Sequence, residues 1–83
     1  MPDFKWIEYN RRKIDGHGLT EHDVEYAYAH ASDVFHGDRP GSYESVGRTP
    51  GGRTIRIVWR YDALWDPSDP WSDEPPIFVV TAY

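Results

Sequence analysis

Histidines, arginines and a few carboxylates are the side chains of this sequence that can move protons or hold negative charge. His17 stands between Gly16 and Gly18, just ahead of Thr20. An imidazole titrates near neutrality, so His17 can act as general acid or base. The competing reading is a structural one, in which the ring hydrogen-bonds a carbonyl and fixes a turn. Arg48 and Arg53 flank Thr49-Pro50-Gly51-Gly52. A guanidinium fork matches phosphate geometry, and displacement at phosphorus builds charge that such donors stabilise. Glu44 is a candidate base, or a solvated strand residue. Tyr83 can stack on a nucleobase or donate to a phosphate, and equally can cap a core. Arg56 and Arg60 alternate along one stretch, where pairing across strands to Glu44 weighs as much as ligand binding. Together these residue types suit general acid–base catalysis beside a bound phosphate.

Other chemistries find less support. His17, His22, His30 and His36 make no i, i+4 pair and no H-E-x-x-H, so no metal site is expected. There is no cysteine, which excludes disulfides and thiolate ligands. No phosphate-cradling glycine loop precedes a helix and no nucleophile elbow is present, so no cofactor is expected.

The elements that must position these residues are legible in outline. Phe4, Trp6 and Ile7 suggest a short strand or an anchoring hook, and residues 8–15 a weak helix. Gly16-His17-Gly18 breaks it. Thr20 with Asp23 forms a capping-box pattern, and Val24, Ala27, Tyr28 and Ala31 share one helical face, so a helix runs from Thr20 to about Ser32. Short strands follow at residues 34–36 and 43–49. Arg53 to Tyr61 alternates strictly, with Ile55, Ile57, Trp59 and Tyr61 on one side. Residues 62–76 hold four prolines and five acids, a long loop for so small a domain. Ile77 to Tyr83 is a nearly continuous apolar strand that suits a central, doubly buried position. The expected fold is α+β: two N-terminal helices packed on a mainly antiparallel sheet of three or four strands, all in one domain spanning residues 1–83.

Eighty-three residues build one small core, which hides only roughly 60–65% of the unfolded surface. Help from a homo- or hetero-oligomeric partner is therefore expected. A net charge of −5 argues against general nucleic-acid affinity, yet residues 31–60 carry five arginines against three acids. The acidic loop 62–76 could lie over that basic surface, and its Trp65 and Trp71 are candidate partner anchors. No apolar stretch reaches the roughly 18 residues that span a membrane. Lys5, Glu8, Arg11 and Arg12 interrupt any signal-peptide pattern, so the cytoplasm is the expected compartment.

One family brings these features together. Phe4-Lys5-Trp6 with Asn10, a basic patch, His17-Gly18-Leu19-Thr20-Glu21-His22-Asp23-Val24, an arginine-studded strand pair and a last strand ending Val80-Thr81-Ala82-Tyr83 follow one another in order. That order resembles the BrnT toxins, small ribonucleases related to RelE, and their uncharacterised relatives. The resemblance implies a RelE/BrnT-like fold and a cytoplasmic, metal-free endoribonuclease neutralised by an antitoxin. It also implies phosphate-stabilising roles for Arg48 and Arg53, by their positions around Gly47-Arg48-Thr49-Pro50-Gly51-Gly52-Arg53. Where many such chains read S-A-R-R, this one reads Thr81-Ala82-Tyr83. That departure favours the other expectation, a non-catalytic interaction module of the same fold that binds through the 62–76 loop.

Overall fold

A computed structural model describes residues 3–62, 68 and 75–83. Seven elements follow in the order β1 (Phe4–Lys5), α1 (Glu8–Asp15), α2 (Glu21–Ala29), β2 (Asp33–His36), β3 (Ser42–Arg48), β4 (Thr54–Tyr61) and β5 (Ile77–Ala82). The architecture is α+β, as expected. The sheet is five-stranded in the order β1-β5-β4-β3-β2, not three- or four-stranded. It is also mixed, because β1 runs parallel to β5 through Phe4↔Ile77 and Lys5↔Phe78. A two-residue strand carries no periodicity of its own, so its pairing depends on the neighbour it meets. The long loop 62–76 falls largely outside the described residues.

Local chemistry sets the helix ends. The Asp23 amide donates to Thr20 Oγ1 at 3.1 Å, and the Thr20 amide donates to Asp23 Oδ2 at 3.0 Å. Two orphan amides of α2 are thereby satisfied reciprocally. The α1–α2 junction closes on backbone bonds from His17 and Leu19 to the Ile14 carbonyl, both 3.0 Å. Of the two glycines around His17, only Gly18 takes positive φ, at 74°.

Both helices bury one side against one sheet face. Ile14, Leu19, Val24 and Ala27 meet Ile55, Ile57, Trp59, Ile77, Val79 and Ala82. Each fully buried Ile or Val contributes about 1.5–3 kcal/mol. Gly47 lies directly under the Ala27 backbone, so even a methyl group there would overlap the Ala27 carbonyl. The Trp59 indole N–H donates to Ser45 Oγ at 2.8 Å, which satisfies the one polar atom that this ring brings inside.

Asn10 ties α1 to the sheet. It is fully buried. Its Nδ2 donates to the carbonyls of Lys5 at 2.9 Å and Val79 at 3.1 Å, while its Oδ1 accepts from the Ile7 amide at 2.7 Å. Helix α1 thus continues along the edge of β5 where β1 ends. No helix among the described residues is long and apolar enough to cross a membrane.

Candidate functional site

The sheet has one covered face and one open face. Pairing register assigns residues to them, since directly opposed residues point the same way. Ser45↔Ile57 and Tyr43↔Trp59 lie under the helices. Their neighbours Glu44↔Val58, Val46↔Arg56 and Arg48↔Thr54 therefore face outward. Arg60↔Phe78 extends that outward row across β5.

A groove of about 650 Å³ runs over the open face. Glu44, Arg60, Phe78 and Tyr83 line it from the sheet, with Tyr9 and Lys13 from α1 and Arg39 from the β2–β3 turn. Arg56 Nη1 donates to Glu44 Oε1 at 3.2 Å. The Glu44 side chain is 17% exposed and that of Arg56 46%, so the pair sits half-buried on the sheet. The Arg60 guanidinium lies 4.4 Å from the centre of the Phe78 ring, a cation–π contact. Lys13 Nζ stands 5.1 Å over the Tyr9 ring. Arg56 and Tyr83 exchange both backbone hydrogen bonds, at 2.8 and 3.0 Å, which fixes where the last residue emerges. The His17 ring packs on Tyr83 with centroids 6.0 Å apart.

Glu44 and Tyr83 therefore share one groove, and His17 meets it at the rim. Arg48 and Arg53 do not come together. The Thr49 amide donates to the Arg53 carbonyl at 2.8 Å, so Arg53 pairs with buried Thr49 while Arg48 pairs with Thr54. The two guanidinium groups leave opposite faces of the hairpin. Arg53 Nη1 donates to the His17 carbonyl at 2.7 Å and so clamps the hairpin to the α1–α2 junction. Arg48 is exposed at the far end of β3. Trp65 and Trp71, the candidate partner anchors, lie outside the described residues.

No family model, no curated protein and no solved structure matches this chain. The geometry alone carries the assignment of roles.

Tyr9, Lys13 and Arg39 are among the groove residues that the sequence does not single out. The i, i+4 spacing of Tyr9 and Lys13 was the available signal, because it stacks both on one side of α1. Arg56 does pair with Glu44 across the strands, one of the two roles weighed for it. Among the described residues no three His, Cys, Asp or Glu side chains gather as metal ligands.

Proposed function

We propose that this protein is a metal-free endoribonuclease of the BrnT/RelE-like toxin type, held in check by an antitoxin and acting on the open sheet face. The observation that carries the reading is the meeting of Glu44, Arg60 and Tyr83 in one groove, with Arg56 beside them. Single-stranded nucleic acid is bound by cations that follow the phosphates and rings that stack on bases. Lys13, Arg39 and Arg60 supply the cations here, and the exposed Tyr9 and Tyr83 the rings.

The reaction is an internal transfer. Glu44 takes the proton of the 2′-hydroxyl, and that oxygen attacks phosphorus. The bond from phosphorus to the 5′ oxygen breaks as the 2′,3′-cyclic phosphate closes. The departing oxygen takes a proton from the Tyr83 hydroxyl, and solvent returns one to it, with the His17 ring packed alongside. Arg60 and Lys13 balance the charge that builds on the phosphate oxygens. Arg56 holds the Glu44 carboxylate in place through their ion pair.

Inducible expression in a bacterial host tests this reading. Wild type arrests growth and degrades total RNA, and Glu44→Gln relieves both. Normal growth with intact RNA from soluble, folded wild type would overturn it. That outcome would favour the second reading, a non-catalytic module that binds a protein partner. Exposed apolar side chains on the outermost strand speak for that reading, since Val34 is 61% exposed and Phe35 49%.

A further inference from the structure

We infer that the chain carries a second nucleotide subsite at the uncovered end of β3, which takes one nucleoside monophosphate unit of a single-stranded RNA through Tyr26, His30 and Arg48. This rests on the reading of the protein as one that handles RNA. The subsite is separate from the groove, whose lining does not include these three residues.

The topology creates the space. Strand β2 pairs with β3 only as far as Asp33↔Val46, so Gly47 and Arg48 run on past the edge strand. Helix α2 ends just above, pressed onto β3 where Gly47 meets Ala27. Between them lies a cavity of about 550 Å³, lined by Tyr26, His30, Ser32, Arg48, Thr49 and Thr54 among others. That size falls within the range of small-molecule sites.

Its chemistry is of two kinds. Tyr26 of α2 and His30 at its C-terminal cap, four residues on, hold their rings 4.4 Å apart at 34°. His22 continues the row with a centroid 6.4 Å from Tyr26. Both Tyr26 and His30 are exposed, so the row has a side open to a planar ligand. Arg48 supplies the charge. Arg53 and Arg56 are engaged by the His17 carbonyl and by Glu44, whereas Arg48 makes no hydrogen bond or ion pair among the described residues. Its backbone contributes too. The Thr49–Arg53 bond sends the Arg48 amide away from β4, toward the side that β2 does not reach. The hydroxyls of Ser32 and Thr54 border the same space. Asp33, next to Ser32 at the rim, is the carboxylate a bound phosphate would have to avoid.

Arg48 belongs to the outward row of β3 but lines this cavity at the sheet edge that β2 leaves uncovered, so its free guanidinium takes a phosphate there and the open ring row bordering the same cavity takes a base. An inorganic anion has no use for the rings, and an uncharged aromatic has none for Arg48. A nucleotide uses both. Because the Glu44 groove lies elsewhere, this nucleotide flanks the cleaved one and sets where along the RNA the protein holds.

Titration of the full chain with AMP, inorganic phosphate and adenosine, followed by amide chemical shifts, tests the subsite. AMP is expected to shift Tyr26, His30, Arg48 and Thr49. Arg48→Ala and Tyr26→Ala are each expected to weaken AMP about tenfold or more, with parental signal dispersion showing that both variants fold. Tyr26→Leu replaces Tyr26→Ala if the latter loses that dispersion. Arg48→Lys recovers part of the affinity. AMP shifts confined to Glu44, Arg56 and Tyr83 would overturn the proposal, as would phosphate alone binding as tightly as AMP. AMP bound at Arg48 by a protein that cleaves no RNA would keep the subsite and sink the ribonuclease reading. RNA cleavage with an Arg48-independent AMP response would do the reverse.

Discussion

The His17 ring lies against the Tyr83 ring, centroids 6.0 Å apart and tilted by 45°, so the turn between the two helices touches the last residue of the last strand. Arg53 supports that contact from behind through its 2.7 Å bond to the His17 carbonyl. Tyr83 is itself held by its backbone pair with Arg56. Its ring and hydroxyl can therefore be altered without moving the strand.

Tyr83→Phe keeps the ring and removes the proton donor. Cleavage is expected to fall about 10²-fold with RNA affinity unchanged. Tyr83→Ala is expected to weaken affinity as well, since a stacking surface goes with the hydroxyl. Separate measurement of kcat and KM on a short RNA distinguishes the two effects.

Glu44→Gln is expected to lower the rate by about 10²–10⁴. Its effect on stability should stay within about 1 kcal/mol, because the Arg56 partner is half exposed and such pairs contribute little. Urea unfolding checks the second half of that statement. A large loss of stability would mean that Glu44 serves the fold.

RNA affinity is expected to fall steeply with salt, despite the net charge of −5. Each phosphate neutralised on a single strand adds about 0.7 to the slope of log affinity against log salt. Lys13→Ala and Arg60→Ala should each flatten the slope by about that amount. A slope unchanged in both variants would place the phosphates elsewhere.

Two substitutions probe what positions the site. Gly47→Ala forces a methyl group into the Ala27 carbonyl and is expected to cost about 3 kcal/mol. Asn10→Ala strands the Lys5 and Val79 carbonyls and the Ile7 amide at the α1–β5 seam, at about 3 kcal/mol. For a domain of this size either loss lowers Tm by roughly 10–20 °C. Thermal unfolding would show a much smaller shift if the seam were loose.

The parts of the fold legible in the sequence are those whose cause is local. Thr20 and Asp23 announce the start of α2 because a cap is a contact between near neighbours. The alternation from Thr54 to Tyr61 reveals which side of β4 is buried, and Ile55, Ile57 and Trp59 are indeed in the core. What stayed hidden depends on contacts far apart in the chain. Asn10 looks like one more polar helix residue until Val79, 69 positions away, receives its amide. Arg48 and Arg53 flank one turn in the sequence, and only the hairpin register shows that their side chains leave opposite faces. Arg53 looks free until His17 offers a carbonyl. Register and long-range pairing are set by the whole sheet, and no short stretch of sequence encodes them.

Cleavage of RNA by internal transfer on the open sheet face would leave its signature in the new RNA ends. Incubation of the purified protein with an end-labelled single-stranded RNA in excess chelator, with analysis of the new ends, tests it most directly. Wild type is expected to leave 2′,3′-cyclic phosphate and 5′-hydroxyl ends, and Glu44→Gln at least a hundredfold less product. Intact RNA with wild type, or equal cleavage by wild type and Glu44→Gln, would contradict it.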